Sequence, residues 1–473
     1  MSRPPPLLLS SEMALIPPCK SLHLPLHLHL PLPLRLRPHP LTAALTLALL
    51  WPLTAAQAQT ATEAELMRRL DSLAAEVGQL KAQLGALQQQ RDGAAAAPTT
   101  APASTLPAGA AAPTAPSTAA APPATVLTSY AEINYTRPRR ASQNAQADLR
   151  RFVLGYQHRL DEQTKIVTEL EVEHSVSSAS DPGEVAVEQA YVEHQLTPTW
   201  ALRGGLFLMP MGLLNENHEP AAFFGVERNF VETAIIPSTW REGGVQMVGQ
   251  FDNGLTLQAG VSTGFDLNKW DATRTDGAQS PLGSIHQELA LAKARDLALF
   301  GALNWRGVPG LQIGGGVFSG GATHGQALAS ARITLWDLHA RWTPGKWDLS
   351  ALISRGNISN SAALNAVLNA PLVGSATLIP KAFDGGYVQA GYHLWQQGNY
   401  ALTPFLRWER FNTASGYADL GPGLTPPVRP AERVVTVGAN FQLTPGVVVK
   451  ADWQRFSQNR DADRSSVGLG WSF

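Results

Sequence analysis

The chemistry-bearing residues of this chain tend to sit two apart. Glu169, Glu171 and Glu173 alternate with Leu170 and Val172. Arg407 and Glu409 flank Trp408, Lys450 and Asp452 flank Ala451, and Asp337, His339 and Arg341 follow the same rule. Arg151, Arg159, Lys165, Arg203, Arg306 and Asp348 occupy the polar phase of similar alternations. A spacing of two places such groups on one face of an extended strand and the apolar residues on the other. Fixed charges of both signs along one wall attract, orient and discriminate ions. Bond-making chemistry has no comparable signature. The histidines His158, His174, His194, His218, His286, His324, His339 and His393 are scattered singly, with no HExxH, GxSxG or CxxC pattern. We expect no enzyme, no metal site and no cofactor. His218 in NENHEP and His339 between Asp337 and Arg341 are the two histidines with notable charged neighbours.

Composition narrows the class. The 473 residues are only 15% charged, with 36 Lys+Arg, 37 Asp+Glu and a net charge of -1. That balance gives no basic face for a nucleic acid. The single cysteine, Cys19, precedes the expected cleavage site, so no disulfide is expected downstream.

The elements that must carry the alternating charges are strands. Sixteen alternating segments run over about 126–136, 148–160, 163–175, 184–196, 199–209, 242–252, 254–264, 295–306, 309–319, 331–343, 346–356, 385–396, 399–411, 431–443, 445–457 and 463–473. Their links sort by length. Seven are short and rich in turn residues (LDEQ, LTPT, DNG, RGVPG, TPGK, WQQGN, LTPG), and they alternate with eight longer ones. Such sorting predicts an all-β, 16-stranded antiparallel transmembrane β-barrel over 127–473. Trp200, Trp305, Trp342, Trp347 and Trp395 lie beside short turns, as an aromatic girdle at a membrane interface requires. The chain ends SSVGLGWSF, and 463–473 reads as the closing strand. Its apolar face is Val467, Leu469 and Trp471, with Phe473 at the girdle. Closure removes the free edges that lipid does not tolerate. On strand 4, Glu188 and Tyr191 fall in opposite phases, so either could face inward.

Ahead of the barrel, Arg35 and Arg37 precede LTAALTLALLWPL and then AQA. This predicts a secretory signal peptide over 1–58, cleaved near Ala58, and the Leu/Pro/His low complexity of 1–40 points to a translation start downstream of Met1. Leu66, Leu70, Leu73, Val77, Leu80, Leu84 and Leu87 form an a/d seam, so 59–92 reads as a short coiled coil favouring self-association. Residues 93–126 are an Ala/Pro/Thr linker of disordered character. Sixteen strands leave an aqueous lumen. The longest link, 210–241, carries Phe223, Phe224, Ile235 and Ile236 with Glu216, Glu232, Arg228 and Arg241. It could fold inward as a constriction or outward against a neighbouring subunit; the inward placement is the expectation.

Four stretches resemble the phosphate-selective porin family of bacterial outer membranes, the O and P type. They are RRFVLGY (150–156), GEVAVEQAYVEHQL (183–196), GLFLMPMGLLNENHEPAAFFGVERN (205–229) and TAIIPSTWREGG (233–244). The likeness is strong over 127–265; beyond that only the strand rhythm carries it. It implies a homotrimer in outer-membrane lipid, an inward third loop, and arginines that bind small anions or phosphate. By their place in these motifs, Arg150, Arg151, Arg228 and Arg241 look like the counterparts. A C-terminal aromatic such as Phe473 resembles the signal read by the outer-membrane assembly machinery.

Alternation adds Arg203, Arg341, Arg407 and Lys450 as pore candidates. Yet 127–473 holds 28 Lys+Arg against 31 Asp+Glu, which departs from a dedicated phosphate channel. A passive porin with possible anion preference is therefore expected. A weakly selective porin and an envelope-tethering structural barrel are the alternatives.

Overall fold

The computed structural model describes residues 124–473, apart from 179, 327–328 and 369–376. The expected leader, the coiled coil and the linker up to residue 123 lie outside the described residues. The first strand begins at Thr125, two residues inside the segment read as linker.

All strands join one closed antiparallel sheet in sequence order, β1 pairing with both β2 and β17. The strands are β1 (Thr125–Pro138), β2 (Gln146–Arg159), β3 (Thr164–Glu173), β4 (Glu184–Gln195), β5 (Trp200–Leu208) and β6 (Arg241–Gln250). They continue as β7 (Leu255–Ser262), β8 (Ala298–Val308), β9 (Leu311–Gly321), β10 (Arg332–Trp342), β11 (Trp347–Ile358) and β12 (Ala382–Tyr392). The last are β13 (Trp395–Gln397), β14 (Tyr400–Gly416), β15 (Glu432–Thr444), β16 (Val447–Phe456) and β17 (Arg464–Ser472). Short β13 continues β12 along β14, so the wall has sixteen staves. Closure is made by the chain end: Phe473 N–H donates to Ser129 O at 3.0 Å, and Ser129 N–H donates to Phe473 O at 3.1 Å.

The link sorting is as expected. Tight turns close one end of the barrel, here the lower end, and long loops close the upper end. Asp161 fixes the first tight turn by accepting from Gln163 N–H and Thr164 N–H. Gly345 and Gly398 supply the positive φ that two other tight turns need. The outward faces are apolar: Ile133, Phe152, Leu154, Val187, Leu303, Ile353, Val388, Leu406 and Val467 are all exposed. Aromatics collect at the lower rim. Trp342, Trp347, Trp395 and Tyr400 are about half exposed, and Trp347 packs on Tyr392 at 4.9 Å. Polar residues point inward, inverting the soluble pattern.

Two β-bulges break the alternation where charge is densest. One in β2 shifts the β1 register between Glu132 and Ile133, leaving Arg150 unpaired beside Arg151. One in β4 shifts the β3 register between Glu169 and Leu170 at Glu188. A bulge adds a residue to one strand and re-aims its side chain. The phase of β4 thus changes at Glu188. Glu188 and Tyr191 both turn away from the exposed face that Val185, Val187 and Val192 occupy.

The upper half of the barrel is partly filled. Trp240, Ile235 and Ile236 from the link between β5 and β6 join Phe265 and Leu282 from the next long link. They pack on inward Phe318, Ile333, Leu335 and Leu352 of β9–β11. The Trp240 ring lies 5.0 Å from Phe265 and 4.9 Å from Phe318. This is a dry core of the kind that stabilises a soluble domain.

Candidate pore constriction

The link between β5 and β6, here loop 3, runs inward. Its first residue past the strand is held by Asn215, whose amide donates to Met209 O and Trp240 O, both at 2.8 Å. Glu232 is the loop's internal hub. It accepts from Leu213 N–H, Leu214 N–H, the Asn229 amide and the Tyr387 hydroxyl, at 2.6 to 2.9 Å. The tip then reaches the far wall. Val226 N–H donates to Asp452 at 2.7 Å, Phe230 N–H to Glu409 at 2.6 Å, and Gly225 N–H to Asn440 at 3.3 Å. Arg407 donates to Phe224 O at 3.1 Å. Two of these backbone N–H groups are thus satisfied by carboxylates, and the third by an amide oxygen, that the strand alternation aims inward. The inward placement expected from the sequence is what the structure holds.

Loop 3 separates two polar chambers. The upper, of about 300 Å³, is lined by Arg150, Arg151, Glu171, Glu173, Glu184, Thr239, Arg241, His286 and Glu288, among others. The lower, of about 100 Å³, is lined by Glu216, Asn217, Phe224, Asn304, Arg306, Arg341 and Arg407, among others.

The candidate cations divide by partner. Arg151 is buried among Glu171 at 3.3 Å, Glu132 at 3.6 Å and Glu173 at 3.9 Å. Arg203 pairs with Glu193 at 2.5 Å and lies over the Tyr191 ring. Arg241 pairs with Glu288 at 3.0 Å, and Arg341 grips Asp348 through two nitrogens at 3.0 and 2.6 Å. Arg407 pairs with Glu409 at 3.1 Å. Among the described residues, the other three have no carboxylate within ion-pair distance. Arg150 faces the upper chamber. Arg228 donates to Ser238 and Thr239 hydroxyls at 2.6 and 3.0 Å. The Lys450 ammonium sits 3.4 Å from the Phe223 ring centre. Five of the eight candidates are therefore paired with a carboxylate, and three are not.

Sequence alone marks Glu232 only as one of the charges on the 210–241 link and does not single out Asn215. The signal available was the density of inward carboxylates (Glu409, Asp452, Asp337) facing a loop rich in unpaired N–H groups. His218 and His339 are both buried in the lumen, beside Glu188 and Asp337 respectively. No group of metal-ligating residues forms among the described residues.

No family model matches the chain. An uncharacterized protein of Aquifex aeolicus (strain VF5) is 27% identical over 351 residues, which is 73% of this chain and 79% of that one. Among solved structures, the Salmonella typhi OmpF complex with daunomycin matches with a TM-score of 0.50 at 12% identity, covering 74% of this chain and 97% of that one. The outer membrane channel DcaP of Acinetobacter baumannii matches with a TM-score of 0.47 at 12% identity, covering 74% and 97%. The OmpF likeness is one of fold, a closed sixteen-stranded barrel.

Proposed function

We propose that this chain is an outer-membrane porin through which small hydrophilic solutes and ions diffuse passively, with loop 3 as its constriction. The observation that carries this reading is a closed barrel with an apolar exterior, a charged interior and a loop seated across the lumen. The apolar band and lower aromatic rim suit lipid, and the inward charges suit water. A signal peptide over 1–58, a homotrimer and a self-associating 59–92 helix belong to the same reading. So does delivery to the outer-membrane assembly machinery through Phe473. No catalytic constellation is part of it.

On selectivity, the arrangement favours a weakly selective pore over a phosphate-dedicated one. Arg151, Arg203, Arg241, Arg341 and Arg407 each spend their charge on a carboxylate within 4 Å. Arg150, Arg228 and Lys450 supply a mild residual anion preference, because a local charge ring acts over a short range. Reversal potential in a KCl gradient, with and without phosphate, tests this. A small anion preference indifferent to low phosphate is expected. A steep anion selectivity blocked by low phosphate would restore the phosphate-specific assignment, and absence of any conductance would remove the channel.

A further inference from the structure

The outer wall changes character at its upper end on one flank of the barrel. Arg137 of β1, Arg355 of β11, Arg410 of β14, Arg433 of β15 and Arg455 of β16 stand in the outward phase of their strands. Exposed Ile133 and Tyr135 share that phase with Arg137, Ile353 with Arg355, Leu406 and Trp408 with Arg410, and Val437 with Arg433. The opposite phase of the same strands is buried, as at Asn134, Ser354, Glu409, Thr436 and Gln454. A spacing of two therefore sends these guanidinium groups out of the barrel rather than into the lumen. Each lies within the last few rungs at the upper end of its ladder.

The arginines form a row. Arg355 lies opposite Asp384 of β12, and Arg410 lies opposite Arg433. Arg455 lies opposite Val435, the next outward residue below Arg433, and Ser465 of β17 lies opposite Arg137. Aromatics line its lower edge. Tyr135, Trp408 and Trp453 come two residues below Arg137, Arg410 and Arg455, and Trp336 lies opposite Arg355. An aromatic belt marks the boundary between acyl chains and water, so the arginines sit at the level of lipid headgroups.

Most of this charge is unspent. Asp384 holds Arg410 at 2.6 Å. Glu432 adjoins Arg433 in sequence, yet its carboxylate accepts the backbone N–H groups of Arg433, Ser457, Gln458 and Asn459 at 2.8 to 3.0 Å. Among the described residues, Arg137, Arg355, Arg433 and Arg455 have no carboxylate within ion-pair distance, and all are exposed. The other flank differs. There the outward phase reaches the upper end as Val172 of β3, Val185 of β4 and Leu299 of β8.

We propose that this row binds the phosphate-bearing headgroups of the lipid leaflet at the upper end of the barrel, and so seats anionic lipid against β11–β1. The inference rests on the membrane-barrel reading, and it names a lipid partner for the outer wall. Guanidinium suits that partner, being always charged and able to grip a phosphate through two parallel N–H donors. A cluster of cations at the edge of a membrane span is a recognition surface for anionic lipid. The phosphates supply the counter-charge that the protein does not, and the acyl chains lie along the apolar band below.

The test uses the full-length protein folded in a neutral detergent, with lipid A, dephosphorylated lipid A or inorganic phosphate added. Native mass spectrometry reads what the barrel retains. Lipid A should be held at least about tenfold more tightly than its dephosphorylated form, with the preference weakening as salt rises. The variant R137Q/R355Q/R433Q/R455Q should lose that preference. R159Q/K346Q, changed at the lower end, should keep it. Heat-modifiable migration reports folding; should the fourfold variant fail to fold, the single variants R355Q and R455Q should each show a partial loss. Equal retention of the two lipids, or an unchanged preference in the folded variants, would overturn the proposal. So would displacement of lipid A by an equal concentration of inorganic phosphate, which would make the row a site for the free ion. Current plays no part in this readout, so a barrel that retains lipid A without conducting loses the channel reading alone.

Discussion

Arg150 and Arg151 are consecutive in β2, yet both line the upper chamber. A regular strand would send one of them to the lipid side. The bulge opposite Glu132 and Ile133 lets both enter. They differ in what holds them. Arg151 is surrounded by Glu132, Glu171 and Glu173, whereas Arg150 has no carboxylate partner among the described residues.

That difference predicts opposite phenotypes. Arg150→Gln should leave stability within about 0.5 kcal/mol of the parent, as for a change that orphans nothing. It should move the reversal potential toward cations. Arg151→Gln leaves three glutamates facing one another and should cost about 3–5 kcal/mol, the range for breaking a buried charge pair. Denaturant unfolding in detergent and bilayer reversal potentials read the two effects separately.

Glu232 organises loop 3 through four donors, so Glu232→Ala should loosen the whole loop. Each orphaned buried donor costs about 1–3 kcal/mol. Burial outweighs those donors and holds the Glu232 carboxyl above the ordinary glutamate range. A group whose pKa rises on folding favours the folded state below its unfolded value. That contribution is lost as pH climbs through the raised folded value. Loop seating, read by protease nicking of 213–231, should therefore weaken on the alkaline side of the ordinary glutamate range. Glu232→Gln should flatten that slope.

Trp240 anchors the dry core inside the upper barrel. Trp240→Ala removes its contacts with Phe265 and Phe318 and leaves Glu242 without the indole N–H that donates to it at 3.0 Å. A loss of about 3–5 kcal/mol is expected. Near-ultraviolet dichroism should fall while strand content persists, because the substitution leaves the backbone hydrogen bonds of the wall in place.

Glu188 is the extra residue of its bulge, so deleting it should be tolerated. Removal leaves Leu170 opposite Val187 and Glu169 opposite Gln189, with Val185 and Val187 still outward. Deleting Val192 instead has no extra residue to absorb it, and a one-residue slip reverses the side chains beyond it. Heat-modifiable migration of the folded barrel should be kept in the Glu188 deletion and lost in the Val192 deletion.

The wall was legible in the sequence because strand period, turn residues and link length are local properties. Alternation around Lys450 and Asp452, or Arg407 and Glu409, found the inward face directly. What local pattern could not supply was register. The bulges at Arg150 and Glu188 depend on pairing with β1 and β3, so the two phases of strand 4 could not be reconciled from β4 alone. The upper core was hidden for a related reason. Ile333 and Leu335 share a face with Asp337 and His339, and their apolar character makes sense only once loops cover them. The loop was readable as long and amphipathic, whereas its contacts with Asp452, Glu409 and Asn440 join residues about 180 to 226 positions apart along the chain.

The central claim is that loop 3, seated across the lumen, limits flow. Single-channel conductance measures it directly. The parent protein should be compared with a variant in which residues 219–230 are excised and joined by a short glycine–serine turn. This account predicts discrete steps from both proteins and a clearly larger step from the shortened loop. Equal conductance in the two would contradict it, placing the limiting segment somewhere other than loop 3.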